Sequence, residues 1–152
     1  WGARMKTVLY FAYGSNLDEG QMLERCPGAK TMGHATLPNH ALAFGGFSHK
    51  WSGAVASVRR APGERVDGVL YRVPADELAT LDRLEGHPHA YVRETRFVLT
   101  KDSRRLATVY VQPAETFEPW APQPKYFAVL AREYARRGFA LDSLISAIGG
   151  PA

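Results

Sequence analysis

The sequence predicts one α+β domain whose centre is a meander or barrel of mostly antiparallel strands. Three observations lead to this fold class. Segments rich in β-forming residues follow one another, and the turns between them leave no room for crossover helices. Helix-like segments with one apolar face lie before, between and after these strands. The chain has 152 residues, of which 45% are hydrophobic and 22% charged, as is usual for one globular domain.

The chain opens with a predicted buried strand over Thr7–Tyr13, which is apolar and rich in β-formers. This strand stops abruptly in the small, polar turn Gly14-Ser15-Asn16. Asp18 followed by Gln21 resembles a capping box, so a short helix is predicted over Leu17–Arg25. The polar turn therefore joins the end of a strand to the start of a helix.

Four short strands are predicted next, and segments with turn chemistry separate them. The breaks fall at Pro38-Asn39, at His49-Lys50 and at Ala61-Pro62-Gly63-Glu64. Neighbouring strands this close in sequence are expected to pair antiparallel. The four strands are His34–Leu37, Ala41–Phe47, Ala54–Arg60 and Val66–Val73.

A helix is predicted from Pro74, with Leu78, Leu81 and Leu84 on one face. Gly86 is placed where a C-terminal cap belongs, so the preceding glutamate lies at the end of this helix, beside its apolar stripe. A hairpin follows, and then a Pro-rich stretch leads into two further helices. The predicted strands are Tyr91–Leu99 and Leu106–Gln112, and the predicted helices run from about Lys125 to Arg137 and from Asp142 to about Ile148.

The composition limits the classes of function. The formal charge of +4 comes mostly from arginines scattered along the chain, which favours small anionic substrates over nucleic acid. Cys26 is the only cysteine, so we expect no disulfide and assign it no role. No apolar run has the length of a membrane span and no secretory signal is evident, so we expect a cytoplasmic protein without a membrane partner. Residues 1–4 precede Met5 and are interpreted as an expression remnant or a start placed too early, and the domain is expected over 5–152.

The turn Gly14-Ser15-Asn16 has two interpretations. It is either a tight connection or a loop whose outward N–H groups hold an anion or a developing oxyanion. No Lys follows the glycine and no GxGxxG pattern is present, so nucleotide binding is not indicated. Ser15 does not fit a hydrolase nucleophile elbow, because Tyr13 and Leu17 occupy the places of the required glycines.

Glu85, His87 and His89 lie within five residues and raise the question of a metal site. Pro88 stiffens this turn and no second cluster supplies a fourth ligand, so no metal is expected. Glu85 is either a solvated residue at a helix end or a partly desolvated carboxylate with a raised pKa, suited to general-base catalysis. Tyr126 either presents its phenol to a pocket or packs into the core.

Taken together, these residues resemble the γ-glutamylcyclotransferase family, from Leu9 to about Ile148. The signature strand and loop of the family is similar to Tyr10-Phe11-Ala12-Tyr13-Gly14-Ser15-Asn16-Leu17. The catalytic glutamate of the family follows a Leu-Asp pair and precedes glycine, as in Leu81-Asp82-Arg83-Leu84-Glu85-Gly86, and a tyrosine a few residues later matches Tyr91. Further similar segments are Trp51–Ala56, Pro62–Val69 and Pro122–Tyr126.

The resemblance implies a small, partly closed mixed β-barrel flanked by helices. It also implies a reaction without metal or cofactor, in which the α-amine of a γ-glutamyl group attacks its own γ-carbonyl and 5-oxoproline is released. Glu85 is then the expected general base and general acid. The residues expected to bind substrate are Tyr10, Phe11, Ala12, Tyr13, Gly14, Ser15, Asn16, Tyr91 and Tyr126.

Three functions stay open. The first is release of 5-oxoproline from γ-glutamyl amino acids or a γ-glutamyl dipeptide, as in glutathione metabolism. The second is the same cyclisation on γ-glutamyl amines or on a biosynthetic intermediate with a γ-glutamyl cap, and the third is a non-catalytic small-molecule binding module. The presence of both the polar loop and Glu85 favours an enzyme. The sequence leaves open which amine is expelled and whether the protein is a monomer or a homodimer.

Overall fold

The computed structural model describes residues 6–149, so the interpretation of residues 1–4 and the C-terminal bound of the domain lie outside the described residues. Five strands and four α-helices follow one another in this part of the chain. No helix within it is long and apolar enough to cross a bilayer. The elements are β1 (Thr7–Ala12), α1 (Glu19–Arg25), β2 (Lys30–Ser48), β3 (Gly53–Pro74), α2 (Leu78–Glu85), β4 (Val92–Leu99), β5 (Arg104–Val111), α3 (Pro124–Arg137) and α4 (Leu141–Ile148).

The strands form a closed barrel in the order β1-β3-β2-β4-β5. All neighbours pair antiparallel except β1 and β5, which are parallel at Tyr10 and Thr108 and close the ring. The four helices lie outside the strands. This architecture confirms the predicted α+β class and the mixed, mostly antiparallel barrel, although the ring is closed where partial closure was expected.

The four short strands predicted over residues 34–73 are wrong, because they are two long strands of one hairpin. β2 and β3 pair from Lys30 with Arg72 to Ser48 with Gly53, and only the predicted break at His49-Lys50 is a chain reversal. The other two predicted breaks lie opposite each other on the two strands. There the pairing register shifts between Pro38 and His40. Asn39 has φ 59° and Gly63 has φ 84°, and the Gly63 N–H donates to Asn39 Oδ1 at 3.0 Å. The turn-forming residues therefore make a bulge that bends the hairpin.

Two helix ends carry the predicted cap residues, although α1 and α2 begin later than predicted, at Glu19 and Leu78. Asp18 accepts a hydrogen bond from the Gly20 N–H at 3.0 Å and is the N-cap of α1, which begins at Glu19. Gln21 does not complete a capping box, because its side-chain amide donates to Ser15 and Asn16. α2 ends at Gly86 as predicted, since its φ of 68° is a left-handed conformation that glycine adopts without steric cost.

The end of β1 is held tightly against β3. Phe11 and Ala12 are buried and pair with Leu70 and Val69. A Cβ atom on Gly68 would lie 2.4 Å from the Ala12 carbonyl oxygen and 2.5 Å from the Phe11 ring. Only glycine fits here. The close approach at Gly68 therefore helps to fix the position of the end of β1 and of the loop that follows it.

Replacement of Gly68 by alanine is expected to lower the free energy of unfolding by about 2 kcal/mol, because the added methyl group must displace backbone as well as an aromatic ring. Urea denaturation of Gly68→Ala measures this loss. Glu64→Ala, an exposed change in the same strand, is the control and should remain close to the parent protein. Equal unfolding free energies for Gly68→Ala and the parent would contradict the close approach of β1 and β3.

Candidate active site

A cavity of about 380 Å³ opens where β1 ends. It lies between the loop after β1, the turn joining β2 to β3, the end of α2 and the start of α3. These segments are far apart in sequence, and the barrel brings them together. The lining residues are Tyr10, Tyr13, Gly14, Ser15, Asn16, Arg25, Phe47, Ser48, His49, Lys50, Trp51, Val55, Ala56, Arg83, Leu84, Glu85, Gly86, Ala90, Tyr91, Tyr110 and Tyr126.

Four tyrosines form the inner wall of the cavity. Tyr13 donates to the Tyr110 carbonyl and Tyr91 to the Ala56 carbonyl, each at 2.5 Å. The Tyr126 hydroxyl accepts from the Ala56 N–H at 2.9 Å, and the Tyr10 hydroxyl accepts from Asn16 Nδ2 at 3.0 Å. Burial raises the pKa of all four phenols above 10, so they are neutral hydrogen-bonding groups at neutral pH.

The loop after β1 lines the cavity with Gly14, Ser15 and Asn16. Gly14 precedes a 3-10 turn over Ser15–Leu17, and within residues 6–149 no side chain caps its start. The first N–H groups of such a turn have no acceptor inside it. A Cβ atom on Gly14 would lie 3.3 Å from the Tyr126 hydroxyl oxygen, so the loop packs closely on the tyrosine wall.

Asn16 is buried and holds this loop in place. Its backbone carbonyl accepts from the Tyr71 hydroxyl at 2.8 Å. Its side-chain oxygen accepts from Gln21 Nε2 at 2.9 Å and from Arg25 Nη1 at 3.2 Å. Because Asn16 bonds to β3 and to α1 at once, the loop has one defined position relative to the barrel.

Glu85, the last residue of α2, faces this loop across the cavity. Its side chain is 18% exposed, and Oε1 lies 3.9 Å from Arg25 Nη1. Burial raises the pKa of Glu85 from 4.5 to about 7, and the positive charge of Arg25 opposes that rise. The carboxyl group is therefore close to half ionised at neutral pH, where it can both accept and release a proton.

Asp82 anchors α2 one turn before Glu85. Its two carboxylate oxygens accept from the Tyr110 hydroxyl and from Arg93 Nη1, each at 2.6 Å. Its backbone carbonyl accepts from the His87 N–H at 2.9 Å. α2 is thereby fixed to β4 and β5, and this fixes the position of Glu85.

The structure brings together most of the predicted site residues. Glu85 and seven of the nine expected substrate-binding residues line the cavity: Tyr10, Tyr13, Gly14, Ser15, Asn16, Tyr91 and Tyr126. Phe11 and Ala12 do not line it and are 0% and 1% exposed. Successive side chains alternate across a strand, so Phe11 points away from the face of Tyr10, and Ala12 is enclosed by β3. The expected contact of these two residues with substrate therefore stays a prediction that the lining of this cavity does not include.

Arg25 and Tyr110 are cavity residues that sequence reasoning missed. Tyr110 gave no local signal, because its contacts with α2 arise from the barrel. Arg25 did leave one, since Gln21 and Arg25 are four residues apart on α1 and therefore lie on one helix face. Both contact Asn16 in the structure.

The possible metal ligands do not form a site in the described part of the chain. Within residues 6–149, no group of three or more His, Cys, Asp and Glu side chains is arranged to hold a metal ion. His87 Nδ1 instead accepts from the Arg93 N–H at 3.0 Å. Cys26 is buried outside the cavity, and burial raises the pKa of its thiol to about 11, which disfavours the reactive thiolate.

A small barrel whose cavity holds a largely enclosed carboxylate and a polar loop has the features of a small-molecule site. Residues 10–129 match the family described as "Gamma-glutamyl cyclotransferase, AIG2-like", and the chain belongs to this family.

Mammalian relatives match along most of the chain. A mouse (Mus musculus) protein named gamma-glutamylcyclotransferase is 33% identical over 134 residues, which cover 85% of this chain and 71% of the mouse protein. A bovine (Bos taurus) protein of the same name is 30% identical over 142 residues, which cover 90% of this chain and 75% of the relative. A solved structure named gamma-glutamyl cyclotransferase superposes with a TM-score of 0.84 at 28% identity, and covers 93% of this chain and 86% of that one.

Glu85→Gln is expected to stabilise the protein at alkaline pH. The folded-state pKa of about 7 exceeds the ordinary value of 4.5, so the folded protein binds more protons than the unfolded chain between these values. Stability is therefore lost as pH rises through this window, by at most ~3 kcal/mol. In urea at pH 8.5 the variant should have a higher free energy of unfolding than the parent protein. The difference between the two should be smaller at pH 5. An advantage that is the same at both pH values, or one shared by the surface variant Glu24→Gln, would contradict this.

Arg25→Met is expected to raise the titration midpoint of Glu85 by about one pH unit, because the opposing positive charge is lost. Carbon-13 NMR of the glutamate carboxyl groups follows this midpoint directly. Arg25→Lys keeps a positive charge and should hold the midpoint near that of the parent. An unchanged midpoint in Arg25→Met would show that the guanidinium does not act on Glu85.

Proposed function

We propose that the protein is a γ-glutamylcyclotransferase. The α-amine of a γ-glutamyl group attacks its own γ-carbonyl, the bond from that carbonyl to the leaving nitrogen breaks, and 5-oxoproline and a free amino acid or amine are released. One observation carries this proposal: a carboxyl group with a pKa of about 7 faces a loop bearing backbone amides across one cavity. Membership of the family and the names of the mammalian relatives support it.

Glu85 supplies the proton transfers of this reaction. The substrate α-ammonium must lose a proton before its nitrogen can attack, and ionised Glu85 accepts that proton. The protonated carboxyl then donates the proton to the departing nitrogen, which leaves as a neutral amine. The carboxylate that is left accepts the second proton of the ring nitrogen, so that the lactam is released neutral. An ordinary glutamate would be a weak base and a poorly populated acid at neutral pH. Burial of Glu85 brings its pKa to the range where one residue serves both steps.

The loop and the tyrosines bind and orient the γ-glutamyl group. Backbone N–H groups near Gly14 and Ser15 hold the α-carboxylate or stabilise the oxyanion that forms at the γ-carbonyl. Tyr10, Tyr13 and Tyr126 enclose the folded substrate, and Tyr91 completes the wall. The hydroxyls of Tyr10 and Tyr126 accept hydrogen bonds from the protein, so their own protons are available to donate to the substrate. Holding amine and carbonyl close together in a preformed cavity removes much of the entropic barrier to ring closure.

The leaving group is proposed to be an amino acid, as in γ-glutamyl amino acids or a γ-glutamyl dipeptide. The positive side chains Arg25, Lys50 and Arg83 line the cavity, and an amino acid leaving group brings a carboxylate to them. A γ-glutamyl amine offers no such charge.

Glu85→Gln is expected to lower kcat for 5-oxoproline formation by about 10³-fold, because it removes the proton acceptor but keeps the shape of the side chain. Chromatographic detection of 5-oxoproline from a panel of γ-glutamyl amino acids, a γ-glutamyl dipeptide and γ-glutamyl amines measures this. Glu24→Gln, on the exposed face of α1, is the matched control and should keep full activity. Isothermal titration with 5-oxoproline should give similar affinities for both variants.

Retained turnover in Glu85→Gln would exclude Glu85 as the general base. Tight binding of 5-oxoproline by the parent protein, with no turnover of any member of the panel, would favour a binding module. In the parent, kcat should rise with pH along a limb centred near 7, because only ionised Glu85 accepts the ammonium proton. A pH-independent kcat from 5.5 to 8 would contradict that role.

A further inference from the structure

The cavity has a buried inner half and an exposed outer half. Tyr10, Tyr13, Asn16 and Tyr126 in the inner half are each no more than 6% exposed. The outer half is formed by the turn between β2 and β3 and by the side chains of Arg83 and Leu84 on α2. Phe47 there is 64% exposed.

Glu85 and the amide-bearing loop belong to the inner half, so the γ-glutamyl group is placed there. The bond that breaks then lies towards the opening, and the expelled group contacts the outer half. Nothing in the proposed reaction requires particular side chains at that end. The outer residues are therefore free to determine which leaving group is accepted.

The outer half presents apolar side chains to solvent. Phe47 and Leu84 are 64% and 48% exposed, and Trp51 also lines the cavity. The His49 ring supports the Phe47 ring edge-to-face at a centroid distance of 5.2 Å. Exposed apolar surface at the rim of a cavity marks a binding surface, because covering it removes it from water.

The outer half is also positively charged. Lys50 and Arg83 line it, and Glu85 is the one carboxylate among the lining residues of the described cavity. Lys50 Nζ donates to Gln21 Oε1 at 3.0 Å and lies 5.2 Å from the centroid of the Trp51 ring, so the ammonium has a defined place at the rim. Partial burial and the charge of Arg25 lower the pKa of Lys50. A bound carboxylate would relieve that repulsion.

We propose that the outer half selects a leaving group that is an α-amino acid with an apolar or aromatic side chain. Lys50 pairs with its carboxylate, and Phe47 and Leu84 contact its side chain. This inference rests on the proposed cyclotransferase function and names the substrate class of the same site.

Three substrates test the contact with the carboxylate and the contact with the side chain separately. They are γ-glutamylphenylalanine, γ-glutamylglycine and γ-glutamylphenethylamine. The second lacks the aromatic side chain and the third lacks only the carboxylate. For the parent protein, kcat/KM for the first substrate should exceed that for each of the others by about tenfold. Formation of 5-oxoproline is the readout in each case.

Lys50→Met keeps the apolar stem of the side chain and removes its charge. It should lower kcat/KM about tenfold for the two substrates that carry a carboxylate and leave γ-glutamylphenethylamine unaffected. Phe47→Ser should lower kcat/KM for γ-glutamylphenylalanine to the level of γ-glutamylglycine, and leave γ-glutamylglycine unaffected. Trp120→Ser and Arg59→Met are the matched controls, because Trp120 is 62% exposed and neither residue lines this cavity. Thermal melting of each variant checks that the fold is kept.

The outcomes separate the inference from the function on which it rests. Formation of 5-oxoproline with similar kcat/KM for all three substrates would overturn the inference and leave the cyclotransferase function intact. Equal losses on all three substrates in Lys50→Met would also overturn it, because a charge acting only on Glu85 would not discriminate between leaving groups. No 5-oxoproline from any γ-glutamyl compound would overturn both.

Discussion

The charge of Glu85 is the constraint on which the rest of the structure depends. A carboxylate inside a protein is costly unless a positive charge or hydrogen bonds support it. Here burial outweighs the single guanidinium of Arg25 at 3.9 Å, so the pKa rises to about 7 instead of falling. The distance sets this balance, because a closer guanidinium would lower the pKa of Glu85 towards the ordinary value and a more distant one would let it rise further.

The barrel maintains this balance by tying distant segments to one another. Tyr13, just after β1, donates to the carbonyl of Tyr110 on β5, and the Tyr110 hydroxyl donates to Asp82 on α2. One tyrosine thus links the loop side of the cavity to the helix that carries Glu85. On the other side, Asn16 joins the loop to Arg25. The carboxyl, the guanidinium and the amides of the loop are therefore all held by side chains that are themselves hydrogen-bonded, which is what a preorganised site requires.

Local signals predicted those parts of the molecule that are determined locally. The first strand, the cap at Gly86 and the helix end that carries Glu85 follow from residues adjacent in sequence, and the structure contains all three. Turn-forming residues around Asn39 and Gly63 were interpreted as chain reversals. Left-handed conformations at these residues instead form a bulge, because the pairing of β2 and β3 continues on both sides of it. Arg25 shares a face of α1 with Gln21, which was a usable local signal, but its contact with Glu85 joins residues sixty positions apart. That contact exists only once the barrel has closed.

The positive lining of the cavity bears on the proposed chemistry in a second way. In the proposed reaction the substrate must present a neutral amine, while its free α-ammonium is the stable form near neutral pH. Burial and, after it, the positive charge of Arg25 lower the pKa of Lys50, and a neighbouring positive charge acts in the same direction on any ammonium group. The same cations that attract substrate carboxylates would thus favour loss of the ammonium proton to Glu85. Charges that raise affinity for the ground state usually give no gain in kcat, but here they act on the group that must change its charge before the ring can close.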